Sequence, residues 1–182
     1  MLVPYTCNMR IGLLSDTHSY LDERILHHLS GCDEIWHAGD IGSMEVADKL
    51  EQVAPLRAVY GNIDDHLMRR RFPEELSWNC EGLNIYMIHI GGRPGRYARG
   101  VSERVQVCRP AVFVCGHSHL CLVQRDPKKN FIYMNPGAAG THGFHNVRTL
   151  LRFDVSASRM HDLQVIELGP RAIAISESGG SR

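Results

Sequence analysis

Met9-Arg-Ile-Gly-Leu-Leu-Ser-Asp-Thr-His18 is a short apolar run that ends abruptly in a carboxylate and an imidazole. Bounded apolar runs of this length read as buried strands, so Met9–Ser15 is expected to be the first strand. The pattern repeats downstream. Leu21, Ile25, Leu26 and Leu29 fall at helical spacing, and Gly31 closes that helix. Glu34–Ala38 is a second strand and runs into Gly39-Asp40. Ser43 is placed as the N-cap of a helix carrying Val46, Ala47 and Leu50 on one face, and Pro55 breaks it. Leu56–Tyr60 is a third strand and ends at Gly61-Asn62. The order β-α-β-α-β predicts a parallel sheet, and functional residues gather beyond the carboxyl ends of such strands.

The second half reads differently. Glu75–Cys80 and Leu83–His89 form a hairpin across Glu81-Gly82, and Gly91–Tyr97 is a loop by composition. A short helix, Ser102–Val107, precedes the strand Ala111–Cys115. Leu120–Arg125 and Phe131–Asn135 form a second hairpin, and Thr149–Val155 pairs with Leu163–Leu168. These elements predict two packed sheets with helices outside, in a single domain spanning residues 1–182. Met1–Asn8 is read as a loose tail and Glu177–Arg182 as disordered.

At 182 residues the chain can bury a substantial core, and its 43% hydrophobic and 22% charged residues suit a globular protein. The formal net charge of zero lacks the basic footprint of a nucleic-acid binder, and 7% aromatic residues offer little for base stacking. No apolar stretch approaches a membrane span. The six cysteines show no Cys-x-x-Cys pair, and Met1–Asn8 lacks the parts of a signal peptide. Reduced thiols and a cytoplasmic location are therefore expected, with a small-molecule substrate, no nucleic-acid or membrane partner, and self-association left open.

Eleven histidines stand out. Four of them fall in five ordered clusters: Asp16-Thr17-His18, Gly39-Asp40, Gly61-Asn62-Ile63-Asp64, His89-Ile90-Gly91-Gly92 and Gly116-His117-Ser118-His119. Each follows a β-like run. Leaving Asp64 aside, they supply two Asp, one Asn and four His, enough donors for two divalent ions held close together. A carboxylate on the central loop, Asp40, is the candidate bridge. Two ions about 3.5–4 Å apart can clamp the attacking and leaving oxygens of an in-line displacement, with a shared hydroxide as nucleophile.

These motifs, with Asn135-Pro136-Gly137 after the last histidine pair, resemble the calcineurin-like metallophosphoesterase superfamily, and within it the compact bacterial and archaeal phosphodiesterases. The likeness covers about residues 9–168. It implies an α/β/β/α sandwich of two mixed sheets flanked by helices. It also implies that Asp16, His18 and His119 hold one ion, that Asn62, His89 and His117 hold the other, and that Asp40 bridges them. Mn is the first expectation, with Fe, Zn, Ni or Mg as alternatives. The reaction implied is hydrolysis of a phosphate ester, most naturally a diester. The competing reading is a non-catalytic protein-binding scaffold, since a eukaryotic retromer subunit is similar to this subfamily. The intact set of ligand types here favours catalysis.

Many family members carry a His directly after the motif Asn to act on the leaving group; here Ile63 stands there, and Ile90 intervenes before Gly91. Asp64, His66, His142 and His145 are therefore the candidate proton donors, with Asp64, His142 and His145 grouped with Asp40 and Asn62 as catalytic. His37 is expected to support the site from within its strand. Arg69-Arg70-Arg71 reads as a solvated helical face, whereas Arg93, Arg96 and Arg99 sit on a loop that can reach substrate.

Overall fold

The computed structural model describes residues 8–171. The expected disordered segment 177–182 and all but Asn8 of the expected tail lie outside them. The chain runs β1 (Met9–Leu14), α1 (Glu23–Leu29), β2 (Glu34–His37), α2 (Met44–Val53), β3 (Leu56–Ala58), α3 (His66–Arg71), β4 (Glu75–Cys80) and β5 (Leu83–Ile88). It continues with β6 (Gly92–Arg93), β7 (Arg96–Tyr97), α4 (Val101–Cys108), β8 (Val112–Val114), β9 (Cys121–Arg125), β10 (Ile132–Pro136), β11 (Val147–Ser156) and β12 (Arg159–Pro170).

Two five-stranded sheets result, in the orders β12-β11-β1-β2-β3 and β4-β5-β8-β10-β9. Both are mixed. In the first, β1, β2 and β3 are parallel while β11 joins β1 antiparallel. In the second, β5, β8 and β10 are parallel and β4 and β9 flank them antiparallel.

The period of two along β1 explains the layering. Ile11 and Leu13 point between the sheets, where they meet Trp36, Ile85, Met87, Val112, Val114 and Phe153. Leu14 points the other way, into the core shared with α1 and α2 through Ile25, Leu29, Val46 and Leu50. Gly12 also faces outward, and Leu29 lies so close that an added Cβ would sit 2.4 Å from its Cδ2. On the far sheet, Val101 and Val105 of α4 cover Tyr86, Phe113 and Tyr133. The layers are thus helices, sheet, sheet, helix, the expected α/β/β/α sandwich. Trp36 anchors the middle, with its ring 4.9 Å from Trp78 and 5.5 Å from Phe153, both edge-on.

Two local expectations are corrected, the loop at Gly91–Tyr97 and the bounds of the last strand pair, while the helix at Arg69–Arg71 and the N-cap at Ser43 stand with added detail. The stretch Gly91–Tyr97 is no plain loop but holds the small β6–β7 hairpin. Arg69–Arg71 close a defined helix, capped by Asp65, whose carboxylate accepts from Leu67 and Met68 N–H. Ser43 occupies the N-cap of α2 without a side-chain hydrogen bond. The final strand pair is longer than expected and carries register shifts. Its polar residues His161, Asp162 and Gln164 hide the strand pattern, and β12 tolerates them because it is an edge strand with one open side. Among the described residues no helix is long and apolar enough to cross a membrane, and Cys32, Cys80, Cys108, Cys115 and Cys121 are all free.

Leu13 is fully buried between the sheets, so Leu13→Ala should cost about 2–5 kcal/mol through lost transfer energy and an unfilled cavity. Reversible urea unfolding measures it. A loss under about 1 kcal/mol, the ordinary size of a mutational effect, would mean that the two sheets close over the gap.

Candidate metal centre

All five clusters lie just past the carboxyl end of a strand: Asp16 after β1, Asp40 after β2, Asn62 after β3, His89 after β5, and His117 and His119 after β8. Backbone bonds then stitch the loops together. Asp16 N–H donates to Gly39 O at 3.0 Å, His18 N–H to Asp40 O at 3.0 Å, and Gly116 N–H to His89 O at 3.0 Å.

Two groups of donors form. The atoms offered by Asp16, His18 and His119 lie within 4.8 Å of one another, and so do those of Asp40, His89 and His117. Asp40 connects them. Its Oδ1 lies 3.3 Å from His89 Nε2 and its Oδ2 lies 3.6 Å from His18 Nε2. Asp16 Oδ1 is 3.2 Å from His119 Nε2. Asn62, an amide donor on the third loop, borders both clefts that open onto this cluster.

The electrostatics fit a cation. Asp16 Oδ1, His18 Nε2 and His89 Nε2 are buried without a hydrogen-bond partner. Burial without a partner ordinarily costs free energy, so such atoms need an explanation. His89 Nδ1 lies 2.7 Å from Ala38 O, which assigns the ring proton to Nδ1. Its Nε2 then turns a lone pair toward Asp40 Oδ1, and two lone pairs at 3.3 Å repel unless positive charge lies between them. Burial pulls the His89 pKa down, but the hydrogen bond that a protonated Nε2 would give Asp40, and the charges of Asp16 and Asp40, outweigh it, so the ring is easier to protonate than usual. Burial likewise pushes Asp40 up, yet His89, the Ile63 N–H and His18 hold its carboxyl below the ordinary range. The same residues that favour a proton would favour a divalent ion.

The remaining sequence candidates separate by position. Asp64 is buried and spends both oxygens on backbone: Oδ2 accepts from Gly61 N–H at 2.7 Å and Ile41 N–H at 3.2 Å, and Oδ1 from Gly42 N–H at 2.7 Å. That corrects its reading as a proton donor, because it clamps the Asp40 and Asn62 loops together instead. His142 stands over His18, with ring centroids 4.8 Å apart, in a cleft of about 400 Å³ also lined by Ile63, Leu120, Phe144 and His145. His145 is buried, with Nε2 3.2 Å from Gly140 O and its ring edge-on to His119. His66 begins α3 and is exposed, outside this cleft.

Arg69 lies on an exposed helical face, as expected, and from there also donates to Asp64 O at 2.8 Å and Asn62 O at 3.2 Å and covers the Tyr60 ring at 4.7 Å. Arg71 pairs with Asp48 and Glu51. Of the loop arginines, Arg99 borders a second cleft beside His89, while Arg93 and Arg96 line a depression elsewhere. A third cluster, Asp154, His161 and Asp162, is spatially close enough to hold an ion. Asp154 is already bonded there to Arg10 and Asn8.

The surrounding residues hold these loops in place, and His37 does so from within its strand as expected. His37 is fully buried; its Nδ1 accepts from Gly39 N–H at 3.2 Å and its Nε2 donates to Thr17 Oγ at 2.9 Å. Burial drives its pKa down to about 4. Asn135 Nδ2 donates to Gly116 O at 2.8 Å and Ser118 Oγ at 3.1 Å, fixing the loop that carries His117 and His119. Two glycines are required by space. A Cβ on Gly61 would lie 2.1 Å from Asp40 Oδ1, and one on Gly39 would lie 2.6 Å from the His89 ring, at a φ of +94°.

Two outcomes follow from this packing. Gly61→Ala should weaken Mn binding by about tenfold or more, because displacing Asp40 forfeits at least one charge-assisted interaction of about 1.4 kcal/mol. Calorimetric titration measures it, and unchanged affinity in a folded variant would dismiss the packing argument. For His37, the unfolded ring titrates near 6.5 and the folded one near 4, so the unfolded chain binds more protons in between. Stability of the chelator-treated protein should therefore fall as pH drops through that window, by up to about 1.4 kcal/mol per pH unit from this residue. Urea unfolding at several pH values should show a shallower decline for His37→Gln; identical slopes would refute it.

A family model for the calcineurin-like phosphoesterase superfamily domain matches residues 9–158. A probable metallophosphoesterase of Methanocaldococcus jannaschii is 30% identical over 141 residues, which covers 71% of this chain and 68% of that protein. An archaeal phosphodiesterase superposes with a TM-score of 0.68 at 20% identity, covering 87% of this chain and 100% of that one. Vps29 of Chaetomium thermophilum superposes with a TM-score of 0.67 at 15% identity, covering 89% and 97%. The matched span runs from the first strand through every one of the five ligand-bearing loops, and the chain belongs to the calcineurin-like phosphoesterase superfamily.

Proposed function

We propose that this protein is a metal-dependent phosphodiesterase that hydrolyses a small phosphate ester. The observation that carries the reading is Asp40, a buried carboxylate with one oxygen toward His89 and the other toward His18. In this reading Asp16, His18 and His119 hold one divalent ion, Asn62, His89 and His117 hold a second, and Asp40 joins the two. Mn suits this mixture of carboxylate and imidazole, with Fe, Zn, Ni and Mg as alternatives. Bound ions would supply positive charge at the phosphoryl oxygens and a deprotonated water near neutral pH.

The chain's own residues do the rest. His89 is oriented by Ala38 O, and the His117–His119 loop by Asn135. The leaving oxygen needs a proton, and Ile63 has none to give. His142 is the candidate donor. It is exposed in the cleft beside His18, whereas His145 already bonds Gly140 O and braces His119. A scaffold role on the same fold would not need six donor side chains gathered in two adjoining groups, and that arrangement favours catalysis.

The test is hydrolysis of bis(4-nitrophenyl) phosphate and 4-nitrophenyl phosphate across those five ions. Asp40→Asn should abolish turnover while circular dichroism shows an intact fold, since loss of the shared charge unseats both ions. Activity within a few-fold of wild type would contradict the mechanism. His142→Ala should steepen the dependence of rate on leaving-group pKa, with alkyl esters losing about 10²–10⁴ in rate and aryl esters little. An unchanged dependence would remove His142 from the reaction.

A further inference from the structure

Two clefts of similar size, about 400 and 420 Å³, open on the candidate metal centre, and Asn62 borders both. They differ in chemistry. The first is walled by His117, His119 and His142 and rimmed by Ile63, Leu120 and Phe144. Those three apolar side chains are 44%, 67% and 103% exposed, so the rim presents uncovered hydrophobic surface directly above the imidazoles.

The second cleft lies on the His89 side. Its apolar lining includes Ile88, Ile90 and Val101, and beside Asn62 and His89 its polar groups are Tyr60, Arg69, Glu74 and Arg99. Glu74 accepts from the Tyr60 hydroxyl at 3.1 Å, and Arg69 is committed to the carbonyls of the Asn62 loop. Arg99 makes no ion pair among the described residues. With two guanidinium groups and one carboxylate, the cleft carries net positive charge, and its one uncommitted charged group is Arg99.

A phosphorus atom at the shared border, beside Asn62, would have one cleft available for each ester substituent. We infer that the substrate is an unsymmetrical phosphodiester. Its apolar or aromatic arm lies against Phe144 and Leu120, and its other arm ends in an anion, a carboxylate or a phosphate, that pairs with Arg99. This inference rests on the phosphodiesterase reading and names the substrate class for it. Hydrolysis adds water across the P–O bond to the apolar arm. That oxygen leaves as the alcohol with the proton from His142, and the phosphate monoester of the anionic arm stays behind.

The probes are propyl phosphate, 3-carboxypropyl phosphate and 3-phosphonopropyl phosphate, titrated calorimetrically into the Mn-loaded protein, together with their 4-nitrophenyl diesters as substrates. The two anion-ended monoesters should bind about tenfold more tightly than propyl phosphate, the value of one charge-assisted contact. The stronger of the two identifies the anion. Arg99→Ala should bring the ratio to unity, and Arg99→Lys should keep part of it, because ammonium replaces the charge without the guanidinium fork. Phe144→Ala should leave the ratio intact and raise KM for the nitrophenyl diesters. Equal binding of all three monoesters by wild type, or a ratio unmoved by Arg99→Ala, overturns the assignment. If no ester is hydrolysed with any ion while the binding ratio stands, the catalytic reading fails and the recognition of an anion-ended phosphate survives.

Discussion

The site depends on a crowding of like-minded groups. Two buried carboxylates and four imidazoles crowd together, and Asp16 Oδ1, His18 Nε2 and His89 Nε2 are left buried with no donor between them. Elsewhere the interior obeys the usual rule that buried polar atoms are paired. Here the mismatch is held in place by backbone bonds between loops and by Asp64, which ties three N–H groups from two loops to one side chain. Such a constellation is tolerable only if something positive enters it, so the geometry of the neighbouring loops exists to keep an unfavourable cluster from relaxing.

Strain is part of that arrangement. Asp16, His18, Asp40, His117 and His119 all have positive φ, between 47° and 67°. A side-chain-bearing residue in the left-handed region costs of order 1–3 kcal/mol and persists only where surroundings over-determine it. Five of the seven candidate ligands share the condition, which turns each strand end sharply enough to aim a side chain back across the sheet edge. The adjoining glycines serve the same geometry from the other side, since Gly39 and Gly61 leave the room that His89 and Asp40 occupy.

Much of this was legible in the sequence because the strands are apolar and the ligands follow them immediately. The order of β1, α1, β2, α2 and β3 could be read from periodicity, and the position of Asp16, Asp40 and Asn62 just past the carboxyl ends of their strands from the same pattern. The role of Asp64 could not. A carboxylate beside a motif looks like chemistry, and only the three N–H groups around it reveal a clamp. Arg69 is exposed, as three arginines in a row suggest, but its reach over Tyr60 and the Asn62 loop is visible only in three dimensions. The full length of β12 is hidden in the sequence because an edge strand does not need alternation.

Each donor group draws on both sheets. Asp16 and His18 come from the first and His119 from the second; Asp40 comes from the first and His89 and His117 from the second. An ion bound by either group is therefore a cross-link between the two halves of the sandwich, and unfolding must release it. Free ion concentration becomes a thermodynamic variable of folding itself. At a hundred times the dissociation constant, a single such site adds about 2.7 kcal/mol to the stability of the chain. The two sheets would then be held together by coordination as well as by the apolar layer between them, and chelation would loosen the whole molecule rather than only its active edge.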